Sequence, residues 1–142
     1  MMEKLTMTTE RVDDIPLLLA HSDKMGVPDL LDDYFKPHGN WEGMSLGWTT
    51  AIWLTHILSE GDHRMNQVQG WVAHRLQTLY GCTGQEVDEH WWSDDRLALV
   101  LDALSQPEAW QISTKVSLAC MRAIPNAPPL VRRRKPCCTH FS

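Results

Sequence analysis

The stretch SLGWTTAIWLTHILSEGDH, residues 45–63, constrains the fold more than any other part of the chain. Ser45 suits an N-cap, where a hydroxyl accepts from a free first-turn amide, and Gly61 suits the left-handed position just past the last turn. Between them, Leu46, Trp48, Ala51, Ile52, Trp53, Leu54, Ile57 and Leu58 take up most of the circumference of one helix. A helix that is apolar nearly all round is a buried one. At about fourteen residues it is shorter than the roughly 20 needed to cross a bilayer, and Thr49, Thr50, Thr55 and His56 interrupt it. The expectation is the central core helix of a soluble domain, with no membrane partner. Trp48, Ile52, Trp53, Leu54, Ile57 and Leu58 are its core residues, joined by Trp71, Leu97 and Leu101 from neighbouring helices.

The flanking sequence supplies those neighbours. Residues 1–11 read as a flexible lead-in. Asp13 and Asp14 precede IPLLLAHSDKM, with Pro16 acceptable in a first helical turn, and Gly26 ends that helix. Pro28 opens PDLLDDYF, whose Leu30, Leu31, Tyr34 and Phe35 share a face while Asp29, Asp32 and Asp33 turn outward. After Gly61 the pattern predicts one helix over Val68, Trp71, Val72, Leu76 and Leu79, stopped by Gly81. Gly70 inside it suggests a close approach to a neighbour. Residues 82–92 read as a loop with a short extended piece. Ser93 then caps a helix carrying Leu97, Val100, Leu101 and Leu104, and Ser105 with Glu108 has capping-box spacing for another. From Pro125 the chain holds four prolines and the basic run at residues 132–135, a composition that predicts disorder. The fold expected is all-α: a compact bundle of five or six short helices over residues 12–115, with a largely disordered basic tail over 116–142.

Charge limits the partners. All 18 acidic residues lie at or before Glu108, so residues 1–124 carry 9 basic against those 18 acidic side chains, while the tail carries four basic ones. An acidic body is a poor non-specific ligand for nucleic acid, whose phosphates are held by Lys and Arg. Cys82 and Cys120 stand alone and Cys137 and Cys138 are adjacent, which fits a reduced compartment. With no signal-peptide pattern at the N-terminus, the expected location is cytoplasmic.

Several pieces in order, ERVDDIPLLLAH, then MGVPDLLDDYFKPHGNWEGMSLGWTTAIWLTHILSEGDHRMNQVQGW, then SDDRLALVLDALS followed by Trp110, resemble the N-terminal region of DDE transposases encoded by bacterial insertion sequences. The resemblance covers roughly residues 9–110. It implies a helical domain that precedes an RNase H-like catalytic domain, in which three acidic residues hold two divalent metals. Such a domain needs on the order of 100 residues or more. Only 32 follow Trp110, and none of those after Glu108 is acidic. The change of character near Gln111 resembles the product of a shifted reading frame. The resemblance therefore implies a truncated or frameshifted fragment with no catalytic residues, no cofactor and no small-molecule substrate. Its function would lie in DNA transposition, through binding element-end DNA or through assembly with itself or with full-length transposase. The alternative is a stand-alone helical self-association module that contacts no DNA.

Within the domain, His63, Arg64, Asn66, Gln67, Gln69 and Arg75 are the candidate DNA-binding residues. Asn, Gln and Arg read base edges, and GDHRMNQVQ has the composition of the turn and second helix of a helix-turn-helix. The competing reading is a solvated helix face. His56 and Glu60, four apart, share a face near Asp62 and His63. No cysteine or further histidine stands at ligand spacing, so helix-end pairing with Arg64 or Arg75 is preferred over a metal site. Asp94 and Asp95 are accounted for by the helix dipole, and the tryptophans by the core.

Overall fold

The computed structural model describes residues 6–35 and 39–106, together with Thr114 and Leu118. Among these residues the fold is all-α. Its six helices are α1 (Ile15–Lys24), α2 (Val27–Tyr34), α3 (Leu46–Glu60), α4 (Val68–Ala73), α5 (Leu76–Thr83) and α6 (Asp94–Ser105). Short 3-10 turns at Met65–Gln67 and Glu89–Trp92 lead into α4 and α6. No helix among the described residues is long and apolar enough to cross a membrane. The anticipated capping partner Glu108 and most of the 116–142 tail lie outside the described residues.

The central helix begins and ends as its sequence requires. Ser45 Oγ accepts from the Trp48 amide at 3.3 Å, and Gly61 closes the last turn with φ +65°. Gly26 likewise takes φ +69° between α1 and α2, and Pro16 and Pro28 occupy first turns. Helices α1 and α2 pack on α3, α5 packs on α1, and α4 packs on the 3-10 turn at Glu89–Trp92. Ile15, Leu19, Ile52, Val68, Val72, Leu79, Trp92, Leu97 and Val100 are fully enclosed at the centre. Trp53 and Trp71 are buried, while Trp48 and Ile57 are partly buried against this core.

Three expected core residues are not in the core: Leu54, Leu58 and Leu101 are 43%, 59% and 47% exposed. Helices α1, α2 and α4 cover α3 on its other sides. Helix α6 packs on the two 3-10 turns instead of lying along α3, and among the described residues the remaining side of α3 stays open.

The single helix expected after Gly61 is broken in two. Arg75 adopts φ −138° and its side chain turns inward, so α4 stops at Ala73 and α5 restarts at Leu76. Gly81 lies inside α5, and it is Gly84, at φ +66°, that ends it. Gly70 meets no neighbour, since a Cβ built there has nothing within 4 Å. The close approach belongs to Gly47: a Cβ there would lie 2.7 Å from the Pro28 carbonyl carbon and 2.9 Å from its Cα. Residues 89–92 form a helical turn where an extended piece was expected, capped by Asp88. Ser93 begins α6 through its carbonyl without a bond from its hydroxyl.

Polar contacts also tie the helices together. Asp32 faces inward and accepts from the Gly47 amide at 2.7 Å, joining α2 to the first turn of α3. Glu10 in the lead-in accepts from the amides of Gln77 and Thr78 at 3.0 and 2.7 Å and from the Thr78 hydroxyl, which caps α5. That part of the lead-in is anchored to the bundle.

Candidate functional site

The residues following α3 gather the chemistry that the chain offers. Glu60, in the last turn of α3, accepts through one oxygen, Oε1, from Trp71 Nε1 at 3.0 Å and Arg75 Nη2 at 3.1 Å. The Arg75 guanidinium also lies 4.8 Å from the Trp71 ring and donates to the Trp71 carbonyl at 3.3 Å. One carboxylate thus fastens α3 to α4 and α5. Two residues on, Asp62 holds Arg64 through a two-oxygen pair with a closest approach of 2.6 Å. The bonds from Arg64 hold the Asp62 carboxyl well below the usual carboxylate range.

These pairings decide what the candidate DNA-binding residues can do. Arg75 is only 8% exposed, with Nη1 and Nη2 given to the Trp71 carbonyl and Glu60 and its Nε buried without a partner, so it has no reach to a phosphate or base. Arg64 is exposed, but its charge is matched by Asp62. His63, Asn66 and Gln67 are exposed and Gln69 is partly so. The second helix of the expected helix-turn-helix has only six α-helical residues before the break at His74, too short for a conventional recognition helix.

His56 is 2% exposed, with its ring edge on Trp71 at 5.2 Å between centroids and 78° between planes. Its Nδ1 has no hydrogen-bond partner. Burial pushes its pKa down from the ordinary value. Asp62 and Glu60 pull it back up in part, and Arg75 lowers it further. The residue is therefore a neutral imidazole in the folded protein at neutral pH. His56, Glu60, Asp62, Gln67, Gly70, Trp71 and His74 line an open cavity of about 400 Å³. Among the described residues, no group of three His, Cys, Asp or Glu side chains converges closely enough to hold a metal ion.

A second feature had no signal in the sequence beyond the wide apolar arc of α3. Thr50, Trp53, Leu54, Ile57, His63, Arg64, Met65, Leu101 and Leu104 line a groove of about 630 Å³ between α3, the turn after it, and α6. Its walls are almost wholly hydrocarbon, no carboxylate lines it, and the exposed Leu54 and Leu101 form its lips. Leu58, one helical turn beyond Leu54, extends the same apolar margin.

No protein family, curated protein or solved structure matches this chain.

Proposed function

We propose that this domain is the non-catalytic N-terminal region of an insertion-sequence transposase, and that it serves subunit assembly by self-association instead of reading element-end DNA. The transposase part rests on the ordered resemblance over roughly residues 9–110. The assembly part is carried by one observation, the apolar groove between α3 and α6. A soluble chain that leaves such a surface open is usually presenting it to a partner. A second copy is the occupant that fits. The face offers both a depression, floored by Trp53, Ile57 and Met65, and protruding leucines at positions 54, 58 and 101. A two-fold interface requires that kind of self-complementary surface. Two copies of an acidic body repel each other over most approaches. On this face no carboxylate of the groove meets another, and the one cation, Arg64, is already neutralised by Asp62.

Sedimentation velocity of the full chain across a wide concentration range tests the assembly reading. The expected result is a reversible monomer–dimer equilibrium that Leu101→Glu or Leu54→Glu abolishes, while Leu17→Glu, on the exposed side of α1, leaves it intact. A monomer at every concentration overturns it. A mobility-shift assay on element-end DNA at two salt concentrations covers the opposite outcome. A salt-sensitive, sequence-preferring shift that weakens on changing Arg64 would return the function to DNA recognition. The transposase part is tested by the locus read in three frames from the codon for Trp110. A frame running into three spaced acidic residues on an RNase H-like strand pattern supports it, and the lack of any such frame leaves a self-association module that stands alone.

A further inference from the structure

The cavity beside His56 is a separate feature from the groove, and its chemistry is one-sided. Seven residues line it: His56, Glu60, Asp62, Gln67, Gly70, Trp71 and His74. The lining contains two carboxylates and two imidazoles and neither lysine nor arginine. Arg64 and Arg75 reach those carboxylates from outside the cavity wall.

Counting donors and acceptors shows what is left over. Both recorded bonds to Glu60 fall on Oε1, which leaves Oε2 as an acceptor. His74 engages the Gly70 carbonyl through Nδ1 at 2.6 Å, a bond in which the ring nitrogen must donate, so its Nε2 is the acceptor of the neutral ring. His56, 98% enclosed by its 2% exposure, brings an enclosed Nδ1 with no partner; its neutral ring holds one N–H and one acceptor nitrogen. Gln67 adds one amide oxygen. Against these acceptors the lining offers two uncommitted side-chain donor groups, the Gln67 amide nitrogen and the one N–H of the neutral His56 ring. The indole N–H of Trp71 is already given to Glu60.

A buried polar group left unmatched is costly, and Glu60 Oε2, a charged acceptor with no bond within the fold, favours a ligand that brings both donors and a positive charge. A divalent metal needs ligands that converge on a point, and among the described residues no three ligating groups do so. A group that spreads several N–H donors over one plane and carries one positive charge suits acceptors that do not converge. A guanidinium presents five such donors in a fixed fork, and aromatic walls suit its flat faces. The protein already contains one instance of this pairing: the Arg75 guanidinium sits on Glu60 Oε1 and on the Trp71 ring. Glu60 Oε2 is free to take a second. The cavity is large enough for a guanidinium with a short alkyl stem, and Gly70 keeps it open by having no side chain.

We propose that the cavity lined by His56, Glu60, Gln67, Trp71 and His74 binds a guanidinium group, either of a small free molecule or of an arginine side chain on a partner protein. It recognises the cation through its free acceptors, Glu60 Oε2 and His74 Nε2 first among them.

Butylguanidine is the probe for the free form and N-acetyl-arginine amide for the side-chain form. Butylurea, a neutral analogue of similar shape, is the control. Titrating each into the full chain, with tryptophan fluorescence and calorimetry as readouts, should give saturable binding of one or both guanidinium probes and none of butylurea. Binding of butylguanidine alone assigns a free small molecule, whereas a preference for N-acetyl-arginine amide assigns a side chain. Gly70→Leu, which fills the cavity from a position where a Cβ has open space, should weaken binding at least tenfold. His74→Ala removes an exposed acceptor, together with the ring's own bond to the Gly70 carbonyl, and should weaken binding several-fold with at most a small loss of thermal stability. Equal binding of butylurea overturns the charge requirement and the proposal with it. So does the absence of saturable binding by either guanidinium probe, or binding that neither variant affects. Tight binding of Zn²⁺ that displaces the guanidinium probes would also overturn it, in favour of a metal site formed by rearrangement.

Discussion

Gly47 sets two opposed effects against each other, and the structure says which one wins. It is the second residue of α3, where alanine is the better helix former by up to about 1 kcal/mol. On propensity alone, Gly47→Ala should stabilise the protein. A Cβ at this position would stand 2.7 and 2.9 Å from the carbonyl carbon and Cα of Pro28, and closer still to the carbonyl oxygen. These are backbone atoms, held by the first turn of α2, so relief requires α2 to move away from α3. Overpacking of this kind costs typically about 1–3 kcal/mol. The same movement stretches the 2.7 Å bond from the Gly47 amide to Asp32, and a hydrogen bond to a charged group is worth roughly 1.5–3 kcal/mol. With partial relaxation, the net expectation is a loss of about 2–4 kcal/mol, or a fall in Tm of roughly 10–20 °C for a domain of this size. Gly70→Ala is the internal control, because its Cβ has nothing within 4 Å and only the propensity gain applies. Thermal unfolding followed by circular dichroism measures both. A Gly47→Ala protein as stable as the parent would refute the packing of α2 against α3 described here.

Three further outcomes follow from the polar contacts. Glu60→Ala should cost about 2–3 kcal/mol in urea unfolding, because it strands the enclosed Arg75 guanidinium, whereas Arg75→Met should cost about 1 kcal/mol, since it leaves a carboxylate one-third exposed to water; the reverse order would contradict the pairing. His56 is neutral in the fold and held below 6.5 chiefly by burial, so between its folded value and 6.5 the unfolded chain binds the extra proton. Its contribution is present above that window and is lost as pH falls through it. His90, raised by its bond to Asp88, has the opposite slope, so the effect is read as the difference between the parent and His56→Asn in Tm against pH from about 5 to 8. Burial alone would raise the Glu10 carboxyl, but the bonds from Thr78 and from the Gln77 and Thr78 amides outweigh it and hold it below its ordinary 4.5. Glu10→Gln should therefore lose about 1 kcal/mol of capping stability at neutral pH and nothing below the carboxylate range.

What the sequence made legible was local. The Ser45 cap, the left-handed glycine at 61, the stop of the first helix at Gly26, the prolines in first turns and the enclosure of Trp53 and Trp71 depend on a residue and its near neighbours, and each stands as expected. What it hid was decided by contacts across the chain. Nothing near Arg75 marks a helix break. The break coincides with the inward turn of Arg75 onto Glu60, a partner fifteen residues away in the chain. Gly70 and Gly47 look alike in sequence, and only the position of Pro28 tells which of them is needed for packing. The apolar arc of α3 was legible as apolar but not as partly uncovered, because a hydrophobic pattern does not distinguish a face packed within the chain from one left open.

The same distant contacts bear on the choice between DNA and assembly. Affinity for the phosphate backbone comes from cations able to replace counterions, and side chains that read bases depend on those anchors for register. The segment from residue 61 to 75 supplies base-reading types in exposed Asn66 and Gln67, which is what made it attractive as sequence. Its two arginines are both engaged, one neutralised by Asp62 and the other enclosed against Glu60 and Trp71. Releasing either would cost the fold a contact before any phosphate was gained, and Arg75 would also have to leave the interior. An open hydrocarbon groove carries no such cost. Covering Leu54, Leu58 and Leu101 removes apolar surface from water at about 25 cal/mol per Å² without first breaking a polar pair. This energetic difference is the ground on which we propose assembly in preference to nucleic-acid binding.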